Sequence, residues 1–218
     1  MKLICFDLDN TLVHSDKANV LAYNYALAKL DLRKKPYKYL VKLFGKPHYE
    51  ISKIIAPKLT EREIYKLMKL HDDILVKHTY KHIKKIKNLD RTLKELKKNY
   101  HLAILSNAVH KNILASLKGA RLDKKLFKLI IGNDDVKHSK PWPDEILKAE
   151  RLIHHKADFM VGDSIYDIIA GKEAKVKTIA VLTGRYSKAR LMKYYPDYLL
   201  KSVNEIPKLL KRINNIKK

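Results

Sequence analysis

From about residue 100 onward the chain alternates short apolar runs with helical stretches, and this alternation constrains the fold more than any other feature. The runs fall at 101–106, 129–132, 158–162 and 178–182, with a short one at 198–200. Helical patterns lie between and after them, near 110–118, 143–155, 165–175 and 203–213. Such an order predicts parallel strands joined by crossover helices that cover both faces of one sheet. An earlier run, 2–8, is apolar from Leu3 to Phe6 and suits a central strand buried on both sides. The expected fold class is therefore α/β, a doubly wound, Rossmann-like parallel sheet.

Between this first run and residue 84 the pattern is helical throughout, interrupted at Pro36, at Gly45-Lys46-Pro47 and at Pro57. An all-α insert after the first strand follows, with domains expected at 1–14 plus 85–218 for the α/β core and 15–84 for the insert, which the family resemblance described below implies is a cap. The clearest helix is expected over 60–83. Thr60 and Glu63 make a capping-box signature, and Ile64, Leu67, Met68, Ile74 and Leu75 mark one face. His71, His78 and His82 fall on or near that face. His78 and His82 have the i, i+4 spacing of a metal pair, but no acid or cysteine stands beside them, so packed histidines are expected. The terminal Asn-Asn-Ile-Lys-Lys is expected to fray.

A length of 218 residues allows a sizeable core, and the single cysteine, Cys5, excludes an intramolecular disulfide. The apolar stretch Leu3–Phe6 is too short for a signal-peptide core and no stretch approaches a membrane span, so a cytoplasmic location is expected. The formal net charge of +24 raises the question of a nucleic-acid partner. Of the 47 basic residues, 39 are Lys and 8 Arg, spread along the whole chain, whereas base readout favours arginine. A solvated basic surface that attracts small anionic substrates is the preferred reading; nucleic acid is not favoured.

In a doubly wound sheet, ligands bind outside the carboxyl ends of the strands. Reading only those ends gives Asp7-Leu8-Asp9-Asn10-Thr11, Ser106-Asn107, and Gly162-Asp163-Ser164-Ile165-Tyr166-Asp167, with Lys140-Pro141-Trp142-Pro143 ahead of the helix near 143. Several carboxylates on a basic chain repel one another unless a cation holds them. Hard oxygen ligands suit Mg²⁺, and a serine hydroxyl, backbone N–H groups and a lysine suit phosphoryl oxygens. Each motif also has a plainer reading: Thr11 and Ser106-Asn107 as helix caps, Asp163 and Asp167 as acids at a helix start, Lys140 as a surface lysine.

Four segments in this order, "DLDNT", "LSN", "DDVKHSKPWPD" and "GDSIYD", resemble the motifs of the haloacid dehalogenase (HAD) superfamily, and "AGKEAKVKTIAVLTG" extends the likeness to residue 184. The chain is most similar to the capped, phosphoglycolate-phosphatase-like group. The resemblance implies that Asp7 is the nucleophile, forming an aspartyl-phosphate, and that Asp9 protonates the leaving oxygen and then activates water. It implies that Thr11 steadies the substrate loop, that Ser106 and the Asn107 N–H hold phosphoryl oxygens, and that Lys140 neutralises charge. The metal residues it implies are Asp7, Asp9 through its backbone carbonyl, Asp163 and Asp167, with Mg²⁺ as the cofactor.

Asp9 favours phosphoryl transfer from oxygen, because relatives that cleave carbon–halogen or carbon–phosphorus bonds lack an acid/base aspartate there. "LFGKPHYE" resembles the cap pattern of phosphatases at Gly45, Pro47 and Glu50 and lacks the arginine-bearing loop of sugar-phosphate mutases. Lys46 and His48 are candidate cap contacts, with plain exposure the simpler expectation. Three positions depart from the family: His14 where many relatives carry Asp, Asn10 in place of a frequent glycine, and Lys175 where glycine is common. A phosphatase of a small phosphorylated metabolite such as phosphoglycolate is the leading expectation. A mutase or nucleotidase of the same superfamily, or a basic nucleic-acid-associated HAD-fold protein, stand as alternatives.

Overall fold

The computed structural model describes residues 1–216. Strand β1 (Lys2–Phe6) is followed by the two-residue β2 (Val13–His14) and helices α1 (Asp16–Ala28), α2 (Tyr37–Val41), α3 (His48–Ile55) and α4 (Glu61–Lys77). Then come β3 (Lys84–Lys85), α5 (Leu89–Lys97), β4 (Tyr100–Ser106), α6 (His110–Gly119), β5 (Leu129–Gly132), α7 (Asp144–Ile153) and β6 (Ala157–Gly162). The chain continues through α8 (Ile165–Glu173), β7 (Lys177–Val181), α9 (Lys188–Met192), β8 (Tyr198–Leu200) and α10 (Ile206–Ile216).

Six strands form one sheet in the order β5-β4-β1-β6-β7-β8, every adjacent pair parallel. Counting only these strands, this is the 3-2-1-4-5-6 order of a doubly wound sheet, with the reversal between β1 and β6. Period-2 alternation sends Leu3 and Cys5 to one face, with Ala103, Leu105 and Met160, against Ile146 and Ala149 of α7 and Ala170 of α8. Ile4 and Phe6 point the other way, among Leu102, Ile104 and Val161, against Leu89, Leu93 and Leu96 of α5 and Leu210 of α10. Leu3, Ile4 and Phe6 are fully buried, each worth about 1.5–3 kcal/mol. The doubly wound α/β fold expected from the alternation is the observed one.

The helical insert leaves and rejoins the sheet through an antiparallel ribbon in which Val13 pairs with Lys85 and His14 with Lys84. Two-residue strands are too short to show alternation, and the sequence pattern gives no sign of them. Pro36 and Pro47 occupy the N-cap positions of α2 and α3, and Pro57 follows the end of α3, so the expected interruptions are real. The capping box at α4 also forms: Thr60 accepts from the Glu63 N–H, and the Glu63 carboxylate accepts from the Thr60 N–H at 2.9 Å.

Helix α4 stops at Lys77, six residues before the end expected for it. His78 adopts φ −127°, and a 3₁₀ turn over Thr79–His82 buries Thr79. His78 and His82 therefore lie on different local helices and do not share an i, i+4 face. The 2–8 strand likewise ends at Phe6, because the Leu8 carbonyl turns to accept from Leu12 and Val13 at 2.9 and 3.1 Å. Helix α10 carries Asn214 and Asn215 in regular helix; the expected fraying of Lys217 and Lys218 lies outside the described residues. No described helix is long and apolar enough to cross a membrane.

Candidate active site

Asp7 follows β1 and Asp163 follows β6, the two neighbouring strands between which the sheet order reverses. Asp167 stands one turn into α8, where Ser164 caps the helix: its hydroxyl donates to Asp167 Oδ2 at 2.6 Å and its N–H at 3.1 Å. Lys140 arrives on the segment before α7. Its ammonium donates to Asp7 Oδ1 at 2.8 Å, to Asp167 Oδ1 at 2.7 Å and to the Leu105 carbonyl at 2.8 Å. Lys140 is only 2% exposed, so the simple surface-lysine reading does not hold. Two glycines allow the carboxylates to pack this closely. A Cβ on Gly162 would lie 2.1 Å from the Asp167 carboxyl carbon, and one on Gly184 would lie 1.6 Å from Asp163 Oδ2.

Three carboxylates, those of Asp7, Asp163 and Asp167, offer oxygens within 4.8 Å of one another. One lysine cannot balance them. Burial pushes the Asp7 carboxyl up, Lys140 opposes this, and Asp167 and Asp9 reinforce it. Asp163 is raised by burial and then by Asp7 and Asp167. Burial lowers the Lys140 ammonium, but Asp167 and Asp7 outweigh it and hold the group charged far above neutrality. An excess of buried negative charge with all-oxygen donors fits a hard divalent cation. Glu145, fully buried at the start of α7 and raised to about 7 by burial, is a further carboxylate beside Lys140 that the sequence reading passes over.

The remaining sequence-derived residues separate by role. Asp9 is half-buried, hydrogen-bonded by Ser15 and raised by burial, and its carboxylate is outside the Asp7–Asp163–Asp167 group. Thr11 is fully buried, donates to Asp163 Oδ1 at 3.3 Å and is not among the residues that line the cavity. Ser106 accepts from the Ala108 N–H at 3.2 Å and keeps its own hydrogen to donate. The Asn107 amide donates to the Lys140 carbonyl at 2.8 Å, tying β4 to the lysine segment. Asn10 and Lys175 both have left-handed backbone, φ 60° and 59°, which is why glycine suits both positions.

A cavity of about 150 Å³ opens over these groups and reaches into the helical insert, where Tyr23, Phe44, Lys46, His48, Ile51 and His71 line it. Lys46 and His48 are thus cavity residues rather than merely exposed ones.

A family model for haloacid dehalogenase-like hydrolases matches residues 4–181. The chain belongs to the haloacid dehalogenase-like hydrolases. It is 29% identical over 215 residues to the pyrophosphatase PpaX of Bacillus mycoides, covering 97% of each chain. A putative haloacid dehalogenase-like hydrolase from Bacteroides fragilis superposes with a TM-score of 0.85 at 22% identity, over 94% of this chain and 99% of that one. A predicted phosphoglycolate phosphatase from Haemophilus somnus does so with 0.82 at 23% identity, over 96% and 98%. The expectation of a phosphoric-ester hydrolase agrees with the family and with these relatives.

This haloacid dehalogenase-like hydrolase also has cavity-side partners that no motif marks. Buried Asp16 accepts from the Asn10 amide at 2.9 Å and pairs with Arg185 from the loop after β7. His14, another of the three departures from the family, is exposed on β2. Asn112 on α6 donates to Asp72 on α4 at 2.7 Å. Arg185 and Asp16, like Asn112 and Asp72, come from distant segments, and none of these four residues is marked by the sequence reading.

Proposed function

We propose that the protein is a Mg²⁺-dependent phosphatase that hydrolyses a small phosphomonoester through an aspartyl-phosphate on Asp7. The packing of Asp7, Asp163 and Asp167 around Lys140 at the sheet's switch point carries this reading. Asp7, Asp163, Asp167 and the Asp9 backbone carbonyl would hold the ion. When bound, it neutralises the crowded carboxylates and draws charge from the phosphoryl oxygens.

An Asp7 carboxylate oxygen attacks phosphorus; the phosphorus–oxygen bond to the leaving alcohol breaks, and Asp9 gives that oxygen its proton. Asp9, now ionised, takes a proton from water, whose oxygen attacks phosphorus and releases phosphate and the Asp7 carboxylate. Burial raises the Asp9 carboxyl above its ordinary range, the direction that suits a group that must give up a proton. Lys140 steadies the negative charge on Asp7 and on the transferring group, while the Ser106 hydroxyl and the Asn107 N–H hold phosphoryl oxygens. Residues 1–14 with 85–218 act as the catalytic core and 15–84 as a cap, joined by the β2–β3 ribbon, with the cap excluding bulk water.

Pyrophosphate is a second reading, favoured by the activity named for the Bacillus mycoides relative. Phosphate release from a panel of phosphoglycolate, sugar phosphates, nucleotides and pyrophosphate, with Mg²⁺ and with EDTA, tests the proposal. Metal-dependent release from a phosphomonoester supports it. No release from any member by folded protein overturns it.

A further inference from the structure

The helical insert holds a cluster whose donors differ in kind from the carboxylates around Lys140. His48 begins α3, and His71 and Asp72 stand side by side on α4, which packs against it. Each of the three offers one ligand atom, and these atoms all lie within 4.8 Å of one another. Asp72 Oδ1 is 3.1 Å from His71 Nδ1 and 3.6 Å from His48 Nδ1. Ligands about 2.0–2.2 Å from a tetrahedral ion stand about 3.3–3.5 Å from one another, so the two spacings bracket those of an ion site.

Hydrogen bonding within the protein accounts for only part of this cluster. The 3.1 Å contact is a hydrogen bond, but 3.6 Å is too long for one, so His48 is turned towards the carboxylate without bonding it. His71 is only 4% exposed, yet its Nε2 has no partner, and neither has Nε2 of His48. Both imidazoles line the cavity. Buried polar atoms normally have partners, so two adjoining imidazoles left incomplete point to a ligand that takes nitrogen donors. The groups are also held in place. The Tyr23 ring packs on His71 at 4.1 Å between centroids, and the Asn112 amide on α6 donates to Asp72 Oδ1 at 2.7 Å. Outer hydrogen bonds of that kind orient the carboxylates that ligate metals.

We propose that His48, His71 and Asp72 form a second metal site, for a divalent transition metal of which Zn²⁺ is the best match. Two imidazoles with one carboxylate suit Zn²⁺, whereas Mg²⁺ favours an all-oxygen set such as Asp7, Asp163 and Asp167. The two clusters thus sort two kinds of ion along one cavity. Three protein ligands leave a coordination position free, and with His48 and His71 on the cavity wall an oxygen of the cavity's occupant can fill it. The site concerns metal binding alone and stands whether or not the phosphatase reading does.

The test is equilibrium dialysis of the full chain against Zn²⁺ in an excess of Mg²⁺, followed by metal analysis, for the wild type, His48→Ala, Asp72→Asn, Asn112→Ala and Asp163→Asn. The wild type should retain one Zn²⁺ per chain. His48→Ala and Asp72→Asn, which each remove a ligand, should weaken binding by about a hundredfold or more, and Asn112→Ala by roughly 10–100-fold. Asp163→Asn should bind as the wild type does. Should Asp72→Asn fail to fold, His48→Ala and His48→Gln decide, since the His48 ring is partly exposed. A folded wild type that retains no Zn²⁺ overturns the proposal. So does binding unchanged in His48→Ala, which puts the ion on other histidines. Binding lost in Asp163→Asn overturns it too, because the ion then sits among the carboxylates around Lys140.

Discussion

Replacing Lys140 by methionine keeps the length of the side chain and removes its charge. Three acceptors then lose their donor: Asp7 Oδ1, Asp167 Oδ1 and the Leu105 carbonyl, each within 2.8 Å of the ammonium. Breaking a buried ion pair from one side costs about 3–5 kcal/mol, because the remaining charge stays buried without a partner. For a chain of this size that corresponds to roughly 6–20 °C in Tm. The deficit depends on pH in a definite direction. Burial already holds the folded Asp7 carboxyl above its usual range, and Lys140 is the main influence opposing this. Without the lysine, folding favours the protonated acid more strongly. Stability contributed by that raised group is fully present below the unfolded value of about 3.9 and is lost as pH rises through the folded one. Urea denaturation of wild type and Lys140→Met at pH 5 and pH 8 measures both effects. The variant should lose more at pH 8, and Mg²⁺ should narrow the gap by replacing the missing positive charge. Equal midpoints at pH 8, or a larger deficit at pH 5, would refute the reasoning.

Glu145 follows the same linkage on its own. Its folded value of about 7 lies above the ordinary 4.5, so its stabilising contribution is present below about pH 4.5 and disappears as pH rises through 7. Glu145→Gln should therefore gain stability relative to wild type between pH 5 and pH 8, by up to about 3 kcal/mol, read from urea midpoints. Lys175 holds φ 59° without glycine's freedom; Lys175→Gly should raise stability by about 1 kcal/mol or less, once the looser unfolded chain is set against the relieved backbone. Mg²⁺ should raise the Tm of the wild type in proportion to the logarithm of its concentration, an effect that EDTA reverses and that Asp163→Asn diminishes. A thermal scan in which Asp163→Asn responds to Mg²⁺ as the wild type does would remove Asp163 from the ion's ligands.

Much of the architecture was readable because the sheet is parallel and buried on both faces. Strands at 129–132 and 198–200 coincide with β5 and β8, since continuous apolar runs bounded by helices have few alternative readings. Asp7, Lys140, Asp163 and Asp167 were found by reading strand ends and the segment before α7, and the structure places all four together. The β2–β3 ribbon was not readable, since two residues carry no period. Nor was the end of α4, where burial of Thr79 in a 3₁₀ turn overrides a helical pattern that continues past it. His71 was readable as a packed histidine, but the hydrogen bond from Asn112 to its neighbour Asp72 depends on how α4 meets α6, which neither segment encodes alone.

Everything proposed for the reaction depends on a phosphoryl group passing through Asp7. Single-turnover reaction with a substrate carrying labelled phosphate, quenched in acid within the first turnover, tests this most directly. The account predicts label retained on the denatured wild-type protein, located by peptide mapping to Asp7, and none on a folded Asp7→Asn variant that also releases no phosphate. Turnover with no labelled protein at any quench time, or label on another residue, would contradict it.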